Sequence, residues 1–223
     1  SVRKGQISKR HIVRFRYRKR PQRLRAIFTT LGVKRCLVVS DYIALVHSVT
    51  VHVKPPPSTQ YVILDVGHAK TTVTVVSVDT PMHVTVLATR TLDVGGASFD
   101  KRLLQFVLDN MSSFDGAHVP DTQFMKTILL NDLDTIKSAF CGNLLEYKYE
   151  TEMSDVRYSV TITRQQFFEI IQPDLNNIEA LLKETLDLAQ RRSGNPTTQF
   201  FLHGMSSHLS CFPEMVRRLG HEP

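Results

Sequence analysis

Cysteine is scarce in this 223-residue chain: Cys36, Cys141 and Cys211 are widely separated and odd in number. That pattern excludes a disulfide framework and a cysteine-based zinc site, and it fits an intracellular, reducing compartment. No stretch approaches the roughly 18 uninterrupted apolar residues that a membrane-spanning helix needs, so no membrane span is expected. No internal repeat or low-complexity tract interrupts the chain. Acid is missing from one end altogether: residues 1–40 carry thirteen Lys or Arg and no Asp or Glu.

The remainder has an ordinary globular composition, 42% hydrophobic and 22% charged, enough for one large domain or two small lobes. The net charge of +7 is therefore unevenly spread: residues 41–223 hold fifteen basic and twenty-one acidic residues. An intense cationic end sits on a mildly acidic body. The first residue is Ser, and an Arg-rich, acid-free start resembles a mitochondrial targeting sequence. However, His11-Ile12-Val13-Arg14-Phe15-Arg16-Tyr17 alternates as a strand does and is read as part of the fold. Cytoplasm and mitochondrial matrix both stay open.

The pattern predicts a helix from Pro21 to Thr30, with Leu24, Ile27 and Phe28 on one face and Gly32 ending it. Cys36-Leu37-Val38-Val39 reads as a buried strand and 41–48 as a short helix. Lys54-Pro55-Pro56-Pro57-Ser58 is the clearest break, a stiff linker. Strands follow at 61–66, 71–78 and 82–89, then a helix at 99–111. A second helix spans 122–141, with Met125, Leu129, Leu133, Ile136 and Phe140 at spacings of three and four. Asp121 is its expected cap and Gly142 its stop. A hairpin is expected at 145–151 and 157–162. Thr163 with Gln166 is a capping box opening a helix that carries Phe167, Ile170, Ile171, Ile178, Leu181, Leu182 and Leu186, with a bend near Pro173. A strand at 198–203, a turn at Gly204 and a helix near 212–219 finish the chain. This order fits an α/β lobe with an α+β insertion. The expected parts are a basic arm and first strand at 1–20, a core lobe at 21–120 and 191–223, and a helical and hairpin insertion at 121–190.

Chemistry concentrates in two segments. In Ile63-Leu64-Asp65-Val66-Gly67-His68-Ala69-Lys70-Thr71-Thr72 a buried strand ends in an acid and a glycine turn leads into the next strand. Glycine lets backbone N–H groups approach phosphate oxygens, and an Asp there can hold magnesium through water or orient an attacking water. In Thr91-Leu92-Asp93-Val94-Gly95-Gly96-Ala97-Ser98-Phe99-Asp100 a Gly-Gly pair opens a helix, a ready anion site. Each segment alone also fits an ordinary turn or a capped helix start.

Together, strand-Asp-x-Gly followed by Gly-Gly-x-x-Phe-Asp-x-Arg-Leu resembles the seventy-kilodalton heat-shock (DnaK-type) chaperones and their larger exchange-factor relatives. Three more segments match in order: Leu31-Gly32-Val33-Lys34-Arg35, Thr161-Ile162-Thr163-Arg164-Gln165-Gln166-Phe167, and the adenosine-loop-like Phe201-Leu202-His203-Gly204-Met205-Ser206-Ser207. The resemblance runs from about residue 11 to the end. It implies an actin-like ATPase (ribonuclease H-like) lobe corresponding to the second half of the family's nucleotide-binding domain. The resemblance implies that the family's first phosphate loop, catalytic lysine and peptide-binding domain have no counterpart within these residues.

The resemblance also shows losses. Asp65 and Gly67 are kept, but His68 and Ala69 replace glycines, Lys70 a threonine, and Thr72 an aspartate. The family's Glu-Pro switch pair falls on Val39-Ser40, its adenine-stacking arginine on Ser138, and its second adenosine-loop glycine on Met205. Side chains at 68 and 69 crowd the approach to phosphate, Val39 cannot orient a magnesium water, and Ser138 cannot stack on adenine. The resulting expectation is a pseudo-ATPase with no resident cofactor, acting as a binding or scaffold subunit of a larger assembly. If ATP or ADP with magnesium does bind, Asp65, Gly67, Lys70, Gly95, Gly96, Asp134, Lys137 and Gly204 would hold it, with Asp65 catalytic. The alternatives are the ATPase half of a split chaperone and a degenerate nucleotide-exchange factor. Arg14, Arg16, Arg18, Lys19, Arg20, Arg23 and Arg25, interleaved with Phe15 and Tyr17, would contact RNA or an acidic partner. His68 and His203 lack a metal-ligand partner at helical spacing and read as structural.

Overall fold

The computed structural model describes residues 21–33, 39–50, 56, 58–80, 83–117, 120, 122–194 and 199–221. The chain divides into two compact units, residues 1–57 with 79–84, and residues 58–78 with 85–223. In the first unit, α1 spans Pro21–Thr30 and α2 spans Asp41–Thr50. Gly32, at φ +80°, turns the chain after α1, and the Val33 N–H reaches back to the Phe28 carbonyl. Arg23 and Arg25 sit on α1. Arg14, Arg16, Arg18, Lys19 and Arg20, the strand expected at 11–17, and Cys36, Leu37 and Val38 of the next strand lie outside the described residues.

The second unit is built on a sheet of β1 (Thr59–Val66), β2 (Thr71–Thr80), β3 (His83–Leu92) and β7 (Gln199–His203), in the order β3-β2-β1-β7. β1 pairs antiparallel with β2 and parallel with β7. Flanked on both sides, β1 is buried along almost its whole length, which explains why Tyr61-Val62-Ile63-Leu64 reads as a continuous apolar run rather than an alternation. β3, at the sheet's end, is half-buried or exposed along its length except at the buried Ala88.

Three helices share the core with the strands and the last helix: α3 (Gly96–Asn110), α4 (Gln123–Ala139) and α5 (Arg164–Ser193). Their buried residues repeat at three and four: Phe99, Leu103 and Val107; Met125, Leu129, Leu133 and Ile136; Phe167, Ile171, Leu175, Ile178 and Leu182. This is the stripe an amphipathic helix turns to a core. α4 is capped by Thr122, which accepts the Met125 N–H at 3.1 Å; the expected cap, Asp121, lies outside the described residues. α3 begins three residues before the expected start, because Ser98 Oγ takes the Gly95 N–H at 3.1 Å and starts the first turn there. α5 continues through Pro173 as one helix of thirty residues.

A second, three-stranded sheet follows the order β4-β6-β5, from β4 (Ser112–Ser113), β5 (Glu146–Met153) and β6 (Val156–Thr163). The two-residue β4 has no sequence signal of its own; it exists through pairing with Tyr158 and Ser159. The chain closes with a 3-10 turn at Met205–His208 and with α6 (Cys211–Arg218). Burial pushes the Cys211 thiol up to about 12, so it packs as a hydrophobe rather than reacting as a thiolate.

The Thr-Arg-x-x-Phe segment explains itself in three dimensions. Thr163 Oγ1 accepts the Gln166 N–H at 3.2 Å, and Gln166 Oε1 accepts the Thr163 N–H at 2.9 Å. Arg164 donates to the Phe140 and Gly142 carbonyls at the end of α4 and to Ser210 Oγ before α6. Its guanidinium lies over the Phe168 ring, 5.0 Å from the centroid. A cation on the carbonyl end of a helix is favourable, so one arginine joins three helices.

A second tie holds α3 to α5. Arg102 donates from Nε to Asp174 Oδ2 at 2.9 Å and from Nη2 to Oδ1 at 3.2 Å. Asp174 is buried and Arg102 is partly exposed. Asp174→Asn keeps the shape but replaces the ion pair by a contact between the Arg102 cation and a neutral amide, and it places an NH2 against a donor. The expected loss is about 1.5–3 kcal/mol, read as a lower urea midpoint with an unchanged slope.

Candidate functional site

In α/β sheets, ligands gather beyond the carboxyl ends of parallel strands. β1 and β7 are the parallel neighbours here, and they end in register on Asp65 and His203. His203 Nδ1 and Asp65 Oδ1 are 3.1 Å apart. Both side chains are mostly buried, so the retained acid of the first loop has an imidazole partner. Sequence spacing could not show this, because the pair is 138 residues apart.

After β1 the chain turns tightly: the Gly67 N–H donates to the Lys70 carbonyl at 3.0 Å. His68, Ala69 and Lys70 are exposed at the tip. The start of α3 is laid directly on this turn. The Gly96 N–H donates to the Gly67 carbonyl at 2.9 Å and the Ala97 N–H to the His68 carbonyl at 2.7 Å. The next two amides, Ser98 and Phe99, donate to the Gly95 carbonyl at 3.0 and 3.2 Å. A helix normally leaves its first four N–H groups without helical partners, and these are what an anion would use. The Phe99 bond is the first ordinary helical one, and the four N–H groups before it all donate within the protein, that of Gly95 to Ser98 Oγ. Thr71 Oγ1 adds a further bond to the Val94 carbonyl at 2.8 Å.

The glycines are required by this closeness. A Cβ on Gly95 would stand 2.4 Å from the Gly67 oxygen and 2.8 Å from the His68 oxygen. On Gly96 it would meet Ser206 Oγ at 2.8 Å. Gly204 has φ +90°, and its Cβ would lie 2.3 Å from the Val66 oxygen and 2.7 Å from Asp65 Oδ1. The loop after β7 thus rides on the end of β1, and Ser206 Oγ reaches toward the Gly67 carbonyl at 3.5 Å.

Asp134 and Lys137 of α4 are tied to the same region through Asp100 in the second turn of α3, which the sequence did not single out as a site residue. Lys137 Nζ lies 2.6 Å from Asp100 Oδ1 and 2.7 Å from Asp134 Oδ1. His68 Nδ1 stands 4.0 Å from Asp100 Oδ2. Burial alone would pull the Lys137 ammonium down, but its hydrogen bonds to Asp100 and Asp134 outweigh this and raise it. The hydrogen bond from Lys137 in turn lowers the Asp134 carboxyl. Ser138 and Met205 are exposed. The structure therefore brings Asp65, Gly67, Gly95, Gly96 and Gly204 into one packed junction. Asp134 and Lys137 join it through Asp100, and Lys70 stays at the solvent edge. No group of three His, Cys, Asp or Glu is arranged for a metal among the described residues, nor is any described helix long and apolar enough to cross a membrane.

A mixed sheet whose central strand ends in an acid, a glycine hairpin beyond it, and a Gly-Gly helix start seated on that hairpin define an actin-like ATPase (ribonuclease H-like) lobe. The chain belongs to the Hsp70 protein family, which it matches over residues 52–206, within the nucleotide-binding domain. The matched stretch takes in both loops, the Arg164 clamp and the turn after β7. A search of curated proteins returned no match.

Proposed function

We propose that this chaperone-like Hsp70 module does not turn over ATP and serves as a binding or scaffold subunit of a larger, RNA-containing assembly. The observation that carries the reading is the state of the junction. The first-turn amides of α3 donate to Gly67, His68 and Gly95 carbonyls, Asp65 is engaged by His203, and Lys137 is held by two carboxylates. An ATPase site would need these same groups for phosphate, magnesium and nucleoside. The packing glycines are retained where they serve the fold. The cationic segment at 1–40 supplies the second half of the reading, because thirteen basic residues without an acid neutralise phosphates.

Two measurements test it. Isothermal titration with millimolar MgATP is expected to give no heat, and purified protein no phosphate release above buffer. Phosphate release abolished by Asp65→Asn would overturn the non-catalytic reading. A labelled single-stranded RNA is expected to bind with an affinity that falls steeply with salt. Salt-independent binding, or preference for an acidic protein over RNA, would remove RNA from the proposal.

One observation favours a second reading, nucleotide held without turnover. A trans peptide points its carbonyl and its following N–H in opposite directions. With the Gly67 and His68 carbonyls turned to α3, the N–H groups of His68 and Ala69 point away from it, beside the exposed Lys70. That arrangement is an anion nest in outline. Heat on MgATP titration without hydrolysis, lost in Lys70→Ala, would select it.

A further inference from the structure

The three-stranded sheet ends in β5, whose ladder partner among the described residues is β6 alone. The pairing continues one step beyond the strand, with the Arg164 N–H donating to the Leu145 carbonyl at 2.7 Å. In an antiparallel ladder the backbone groups alternate between the two edges. The bond at Leu145 therefore turns the odd-numbered residues of β5 toward β6, and the N–H and C=O groups of Glu146, Lys148, Glu150 and Glu152 toward the outer edge. The same alternation sorts the side chains. Tyr147, Tyr149, Thr151 and Met153 face inward, while Glu146, Lys148, Glu150 and Glu152 are exposed. Tyr147, Thr151 and Met153 are only half-buried, although Tyr158, Val160 and Ile162 beside them on β6 are buried. Leu145, just before the strand, is 76% exposed.

We propose that β5 pairs antiparallel with β5 of a second copy of this chain, about a twofold axis at Tyr149. Charge and strand overlap together select that register: an axis at Tyr147 also sets Glu146 opposite Lys148, but it pairs only residues 146–148 of the strand, whereas an axis at Tyr149 pairs residues 146–152. Edge hydrogen bonds require even-numbered residues to face even-numbered ones, so the axis must fall on a residue. An axis at Lys148 or Glu150 sets like charges directly opposite each other, and one at Thr151 sets Glu150 against Glu152. An axis at Tyr149 sets Lys148 opposite the partner's Glu150 on both sides of the dyad. It also puts Tyr147 opposite Thr151, and the exposed Leu145 opposite Met153. One like pair remains, Glu146 with Glu152, and Arg157 lies 3.4 Å from Glu152 to offset it. Aromatic, apolar and opposite-charge pairs are what stabilise facing strands, and a twofold interface must be self-complementary in this way. Joining the edges also covers a strand that would otherwise invite unspecific pairing. Tyr149 is itself anchored to α4, its hydroxyl donating to Asp132 Oδ2 at 2.5 Å. The dimer does not depend on whether the cleft holds nucleotide.

The test is sedimentation velocity on the full chain across a concentration series, with circular dichroism to confirm that each variant folds. The wild-type chain is expected to dimerise reversibly. Lys148→Glu and Glu150→Lys, each at an exposed position, should each raise the dimer Kd about tenfold or more, since two attractive cross-strand pairs become repulsive. The double exchange, with both substitutions in one chain, restores opposite charges and should restore the dimer. Glu146→Lys removes the like pair and should tighten it. A chain that stays monomeric throughout, or a dimer indifferent to either single reversal, overturns the proposal. A dimer that the double exchange fails to rescue places the interface elsewhere and overturns it equally.

Discussion

Replacing Gly204 by alanine is expected to cost about 3 kcal/mol or more and to loosen the whole loop junction. Two penalties combine. A side chain at φ +90° costs about 1 kcal/mol or more by itself. The new methyl would also sit 2.3 Å from the Val66 oxygen, a backbone atom of the most buried strand, which cannot yield without breaking its ladders. Overpacking of that kind adds roughly 1–3 kcal/mol. Gly194 separates the two terms: it has φ +70° but nothing within 4 Å. Gly194→Ala should lose only the conformational part, about 1 kcal/mol. Equal urea midpoints for the two variants would show that the loop after β7 is not seated on β1.

The second large effect is expected at Phe167. Its ring is fully buried, stacked on Phe140 at 4.8 Å between centroids and edge-on to Phe168 at 5.3 Å. Phe167→Ala removes this packing where the end of α4 meets the start of α5, and the neighbouring helices, pinned by Arg164, can close the cavity only in part. A loss of about 3–5 kcal/mol is expected, which lowers the melting temperature by about 10 °C in a chain of this size. Phe168→Ala, at a half-buried neighbour, should cost clearly less. If both variants melt together, the Phe140–Phe167 stack is not the element joining the helices.

Much of this architecture was legible in the sequence because it is local. The stripe Met125, Leu129, Leu133 and Ile136 needs only a period of 3.6 to identify its buried face. Thr163 and Gln166 announce a helix start because the two bonds of the box lie within one turn. The hairpin of β5 and β6 follows from two alternating segments beside a short turn. Gly95 was legible as a glycine, but not for the right reason. The sequence suggests an open anion site at a helix start, whereas the structure uses the same absence of a Cβ to let α3 lie against the Gly67 and His68 carbonyls.

The partners across the fold were not legible. Asp100 looks like one more polar residue of a helix start until α4 delivers Lys137 to it. Arg102 and Asp174 lie 72 residues apart, on helices whose adjacency no local pattern encodes. His203 reads as structural, and only the parallel pairing of β7 with β1 sets it opposite Asp65.

By itself, then, the sequence determined the elements, their order, the family likeness and the uneven charge, all of which depend on neighbours within a turn or a strand. Tertiary structure alone decided which carbonyls received the α3 amides, which acid met His203, and what held Lys137. Those outcomes depend on how a crossover through α3, α4 and α5 returns β7 to the side of β1, and chain separation carries no record of that return.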